Sequence, residues 1–295
     1  MSSRSSCVPA CVLLLSVTAC AVHDDSGPVP CARAHGLLFV PVAWGAEPPL
    51  LALLDTGANA SALCQRRGAS LRAIETGTVV GTTGTLAAEF VEVAGLRLGA
   101  LRLPTLRATR RSLVGLLSPD DRPVDMILGS DAFAGMRLTI DFMQSELRLQ
   151  ASAAPAADGV TLGIDDGIPT IGATIHGEPA ELRIDTGASL FASADVYVNV
   201  PAALWARLQQ RDPSLAPERH FQGTGADGTT VQLPVAKVVD VRIGPLDLAS
   251  AWLIVQPEAG YFAAADAKGF VGNNFLEKLG RVTLDFGNRR FHAGQ

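Results

Sequence analysis

Leu50-Leu51-Ala52-Leu53-Leu54-Asp55-Thr56-Gly57-Ala58 decides the fold, because its last four residues return as Asp185-Thr186-Gly187-Ala188 behind Leu182-Arg183-Ile184. The two aspartates lie 130 positions apart. An apolar run that ends in Asp-Thr-Gly reads as a strand delivering a carboxylate at its tip, with glycine permitting the tight turn that follows. Singly, either tetrapeptide is an ordinary turn, since Asp and Gly are common turn residues. The flanking sequence repeats too. Leu37-Leu38-Phe39-Val40-Pro41-Val42 and the turn Gly45 to Pro49 precede the first copy, and Ile171 to Ile175 and the turn Gly177-Glu178-Pro179 precede the second. Downstream come a glycine-rich stretch, alternating strands, an apolar run closed by glycine and a strand. Those last two are Met126-Ile127-Leu128-Gly129 with Leu138-Thr139-Ile140-Asp141-Phe142, then Phe270-Val271-Gly272 with Val282-Thr283-Leu284-Asp285-Phe286. Five features recurring in one order mark an internal duplication, a stronger signal than any one motif.

Composition fits a chain of many short strands. Hydrophobic residues make up 48% and charged residues only 18%, with 29 glycines and 18 prolines, a balance that suits turns and strands over a helix bundle. The net charge of −5 and the lack of any basic block argue against nucleic acid as a partner. The second copy is longer between its aspartate and its apolar-glycine run. The spacing of Leu204, Trp205 and Leu208 behind Pro201 predicts a helix in that extra length, and Ser61 to Arg67 reads as one helical turn. Residues 35–150 and 159–295 are the expected repeats, with the alanine- and proline-rich 151–158 as linker and 20–34 as a polar tether.

The first 19 residues read as a signal peptide, because the apolar run from Cys7 to Val17 is too short to cross a bilayer. Val17-Thr18-Ala19-Cys20 resembles a bacterial lipobox, which implies lipidation of Cys20, with plain cleavage after Ala19 as the other reading. Both mean export. By resemblance to Gram-negative lipoproteins, Ala21 after the cysteine implies a periplasm-facing anchor in the outer membrane. Of the five cysteines, Cys31 and Cys64 remain; they pair in an oxidising compartment or stay as small buried hydrophobes.

A duplicated all-β unit with one Asp-Thr-Gly-Ala per copy and an apolar-glycine run downstream resembles the pepsin-like and retropepsin-like aspartic proteases. The resemblance covers nearly all of the chain after the leader. Alanine after the glycine, and the shortness of each copy, place it nearer two fused retropepsin-type subunits than pepsin. It implies two homologous β-barrel-like lobes about a pseudo-two-fold axis with a cleft between them. Asp55 and Asp185 are then the catalytic dyad of an endopeptidase acting on polypeptides, working as a monomer, without cofactor or metal. Membrane contact is through the Cys20 anchor alone. The resemblance also gives Thr56 and Thr186 a role in bracing the two loops, Gly57 and Gly187 one in letting backbone amides approach the carboxylates, and Gly129 and Gly272 one in letting a neighbouring strand pack close. Position and glycine content make Gly81, Thr82, Thr83 and Gly84, and Gly223, Thr224 and Gly225, candidate flaps; neither carries a flap tyrosine. The rival is an exported peptide-binding or scaffold lipoprotein that keeps the fold without turnover.

Other motifs fall away. Gly223 to Gly228 formally matches G-x-G-x-x-G, but a strand pattern with a proline follows it, not a helix. The five histidines have no metal-ligand spacing, and no G-x-S-x-G nucleophile elbow occurs. Asp131 has Asn274 as its counterpart, and no chemistry is assigned to it.

Overall fold

The computed structural model describes residues 25–113, 115–116, 118–119, 122–153, 158–190, 194–224 and 229–294. The signal peptide, Cys20, residues 154–157 of the linker and Gly225 lie outside them. The described chain is predominantly β, in two large sheets of ten and thirteen strands.

Each half repeats one strand order. In the first, Leu37–Trp44 pairs antiparallel with Leu50–Asp55, and Met126–Gly129 lies parallel to the latter with Gly129 opposite Asp55. Ala62–Cys64 follows, antiparallel to Met126–Gly129 and parallel to Leu106–Arg111. Thr85–Val93 and Ala73–Val80 complete the row. In the second half Ile168–Ile175, Glu178–Ile184, Gly269–Val271, Tyr197–Pro201, Leu246–Gln256, Thr230–Ile243 and Arg219–Thr224 stand in the same order. The same two pairings are parallel there. Leu50 to Leu54 and Met126 to Gly129 are buried throughout. That is why these strands read as unbroken apolar runs instead of alternating ones.

The halves meet along Met136–Asp141 and Arg281–Asp285, paired antiparallel with Thr139 opposite Thr283. Their hydroxyls are 2.9 Å apart. The two repeats thus pair through the same residue of the same motif. Leu138, Ile140, Val282 and Leu284 are buried beside it in a core cluster that runs through both halves. Asp285 is buried too, held by Arg137, Ser152 and Asn288. Phe133 and Phe275, just after each apolar-glycine run, are fully buried, each contributing on the order of 2–3 kcal/mol.

Three expectations need correction, and for the cysteines the second of two readings holds. From Asp25 onward the tether is built into the fold: Val29–Pro30 pairs with Glu146–Ala151, and Asp25 binds Arg148. Val29 enters the core, so a stretch polar on average still has an apolar side chain to bury. Within Ser61 to Arg67, Ala62–Cys64 is a strand, wedged between two neighbours that take up its backbone groups, and a single turn comes only after it, closed by the Gly68 amide on the Cys64 carbonyl. The linker starts late, since Ala151 still belongs to a strand. Cys31 and Cys64 are free, buried thiols in separate core clusters, and burial pushes the Cys31 thiol up to about 12. The helix spans Ala202–Arg211 and buries Leu204, Trp205 and Leu208 as the spacing predicts, with Pro201 as its cap.

Candidate active site

Asp55 closes its strand, and Asp185 follows directly on Glu178–Ile184. Each carboxylate is gripped by the turn it opens. Asp55 Oδ1 accepts the Gly57 and Ala58 amides at 3.0 and 3.1 Å. Asp185 Oδ1 accepts the Gly187 amide at 2.9 Å. The two carboxyl groups lie next to each other, each half-buried where it lines the cleft.

The glycines are required by that approach. A Cβ on Gly57 would stand 2.3 Å from Cγ of Asp185, and one on Gly187 2.4 Å from Cγ of Asp55. Gly57→Ala or Gly187→Ala is therefore expected to push the opposite carboxyl away and destabilise the fold by about 1–3 kcal/mol. Thermal unfolding of both variants checks this. Wild-type stability in either would mean that the carboxyl pair is not what the glycines protect.

Thr56 and Thr186 lock the two turns together beneath the acids. The Thr56 amide donates to Thr186 Oγ1 at 3.0 Å, and the Thr186 amide to Thr56 Oγ1 at 3.1 Å. The hydroxyls in turn donate to the carbonyls of Ile184, at 2.7 Å, and Leu54, at 2.9 Å. Both threonines are completely buried.

The apolar-glycine strands support each turn from outside. The Asp185 amide donates to the Val271 carbonyl at 2.9 Å. A Cβ on Gly129 would meet the Ala58 carbonyl oxygen at 2.9 Å, and one on Gly272 the Ala188 carbonyl oxygen at 2.2 Å. Four supporting residues carry no assignment from sequence. Ser61 Oγ accepts the Gly129 amide and donates to Asp131. Asn273 Nδ2 donates to the Thr186 carbonyl, and Asn274 Oδ1 accepts the Leu190 amide. Asp131 and Asn274 occupy corresponding places, so the positional match visible in the sequence was the usable signal; both brace a turn.

Burial is the main cause raising the pKa of both dyad acids. Asp185 rises well above the usual range because the neighbouring Asp55 charge adds to burial, while the backbone amides and the shared hydrogen bond offset part of the rise at Asp55. With two backbone amides on its Oδ1 against one for Asp185, Asp55 is the better placed of the two to carry the single charge of the pair.

Above the dyad lies a cleft of about 640 Å³ walled by both halves. Thr78 to Thr82, from the hairpin Ala73–Val80/Thr85–Val93, roof it. The Gly81 amide closes the hairpin tip onto Gly84 O. The tip is held from the second half: the Tyr261 amide donates to Gly81 O at 2.8 Å, and Gly260 packs against the backbone of Gly81 and Gly84. Among the described residues, the second glycine-rich hairpin contributes nothing to the wall. Gly223 sits against Leu233 in an edge strand, and Gly260, Tyr261, Ala264 and Phe270 take that side. Tyr261 brings a tyrosine to the cleft wall, with its hydroxyl accepting the Lys268 amide and Arg183 lying over its ring.

Compared with models of protein families, and with curated proteins, the sequence matches none of them.

Proposed function

We propose that this chain is an aspartic endopeptidase with the fold of that class, two homologous lobes (35–150 and 159–295) fused into one monomer with a cleft between them. The observation that carries the reading is the pair of adjacent, half-buried carboxyls of Asp55 and Asp185 lining one cleft, each packed against the glycine of the other's turn. Two such acids at contact cannot both ionise, and titrate as one coupled unit. Asp55, with two backbone donors, takes the proton of an attacking water. Asp185 donates its proton to the oxygen of the scissile carbonyl, and a tetrahedral diol forms. Asp55 then passes the acquired proton to the leaving amine, the C–N bond breaks, and the diol hydroxyl returns its proton to Asp185. The polypeptide lies extended beneath the hairpin tip, held by backbone hydrogen bonds in the manner of an added strand.

Export belongs to the same proposal and rests on the leader sequence: a signal peptide of 19 residues and Cys20 as the lipid-bearing N-terminus, facing the periplasm from the outer membrane. Among the described residues no helix is long and apolar enough to cross a membrane.

The test is to incubate the purified chain with denatured proteins from acidic to neutral pH and sequence any new termini. Cleavage is expected, and a peptide bearing a hydroxyl-methylene group in place of the scissile amide is expected to inhibit it at 10²-fold lower concentration or better than the matched substrate's KM. Peptide binding without new termini at any pH would favour the non-catalytic scaffold instead.

A further inference from the structure

We infer that Arg111 is a specificity residue that holds a carboxylate of the substrate, so that the polypeptides taken by this cleft carry an acidic group next to the bond being cut. This rests on the proposed peptidase site and deepens it. Arg111 is the last residue of Leu106–Arg111, in register with Cys64, and its side chain lines the cleft that holds the dyad. Its Nε is buried and, among the described residues, has no hydrogen-bond partner. A buried donor on a permanent cation without an acceptor is costly, and such groups persist where a ligand completes them.

The internal duplication supplies a control. Ile127 lies opposite Ala62 in the first half and Phe270 opposite Asn199 in the second. Thr109 pairs with Ala62, and Ile254 with Asn199. Two residues further along, Arg111 therefore corresponds to Gln256. Gln256 Nε2 donates to Asn199 Oδ1 at 2.7 Å. In the first half the acceptor's place is taken by Ala62, which offers nothing. The second copy satisfies its polar side chain internally, while the first leaves a longer, charged one open toward the cleft.

The other cleft cations are already matched. Arg107 binds Glu75 at 2.5 Å and lies over the Phe90 ring. Arg183 binds Asp165 at 2.8 Å and lies over Tyr261. Of the acids lining the cleft, Asp166 receives the Asn59 amide at 2.7 Å, and the single charge of the dyad is committed to water activation. Burial lowers the Arg111 pKa, and the Asp55 charge acts in the opposite direction. A guanidinium so placed presents a planar fork that suits a carboxylate, bidentate if both oxygens are free. The carboxylate comes from an Asp or Glu side chain or from the end of the chain.

The full-length chain carrying Asp185→Asn, which keeps the Asp55 charge, is titrated with fluorescent peptides in which one Glu or one Gln is walked along a neutral frame, each with an amidated or a free C-terminus. In parallel, the active chain digests denatured proteins and its cut sites are mapped. Glu at one position is expected to bind on the order of ten- to a hundredfold tighter than Gln, and acidic residues to be enriched at one place relative to the cut. Arg111→Gln, whose side chain the Gln256 strand already accommodates, is expected to erase both preferences, and Arg111→Lys to keep part of each. A gain confined to free C-termini assigns the carboxylate to the chain end. Glu preference in the absence of any cleavage would leave Arg111 as a carboxylate site and remove the peptidase reading. Equal binding of Glu and Gln peptides overturns the inference. So does an Arg111→Gln variant that shifts the pH profile on every peptide alike while keeping the preference, because Arg111 would then act on the dyad and not on the substrate.

Discussion

Asp55→Asn and Asp185→Asn are each expected to lower kcat by about 10⁴-fold, the upper end of what one positioned acid–base group contributes, while the folded chain becomes more stable at neutral pH. The two effects share a cause. Burial, and for Asp185 the adjacent Asp55 charge, raises both acids above their ordinary range. A raised carboxyl binds its proton more tightly in the folded chain than in the unfolded one. Its contribution to stability is therefore fully present below the unfolded value and is lost as pH rises through the folded value. Asparagine never ionises and escapes that loss. In Asp185→Asn the new amide also has the Asp55 carboxylate as an acceptor. The expected gain is on the order of 1–2 kcal/mol at neutral pH, a few degrees in Tm for a chain of this size. It should shrink as pH falls below the ordinary aspartate range, where the wild-type pair is fully protonated too. Melting curves across pH, alongside turnover, check both halves. A variant that retains activity would remove the dyad from the mechanism; a Tm difference independent of pH would mean that titration of the pair is not its source.

That coupling explains why the dyad was legible in sequence when its surroundings were not. Asp55 and Asp185 sit in local motifs whose physics is complete within four residues: strand end, acid, threonine, glycine. The duplication then placed the two motifs in one site without any long-range information. The repeat of Leu138 to Phe142 as Val282 to Phe286 was legible for the same reason; that the two copies pair around Thr139 and Thr283 came from the structure. What stayed hidden depends on contacts between unlike segments. Ala62–Cys64 becomes a strand because two neighbours accept its backbone, which overrides its short helical pattern. Tyr261 reaches the cleft because the Gly81 tip docks on it from another half of the chain. Arg111 looks like any surface arginine until its counterpart, Gln256, is found with a partner it lacks. Where the repeats agree, sequence suffices; where they diverge, coordinates are needed.

Thr56→Ala is expected to be the most destabilising single truncation at the floor of the site, by about 2–5 kcal/mol. Removing its hydroxyl strips two buried backbone groups at once: the Thr186 amide loses its acceptor, and the Ile184 carbonyl its donor. Each unsatisfied buried group costs about 1–3 kcal/mol, and no water reaches a threonine that is completely buried. Thr186→Ala strips the Thr56 amide and the Leu54 carbonyl in the same way. Thr56→Ser keeps the oxygen and should lose well under half as much, because only a methyl group is removed. The four bonds form one closed set, so the double alanine variant should cost less than the two single losses added together, with a coupling of about 0.5–3 kcal/mol. Turnover should fall more steeply than the folded fraction does, because both loops that aim the carboxyls hang on these bonds. Denaturant titration of the four variants, with activity measured well below each midpoint, separates the two effects. Strict additivity, or full specific activity in folded Thr56→Ala, would show that the threonines pack the floor without positioning the acids above it.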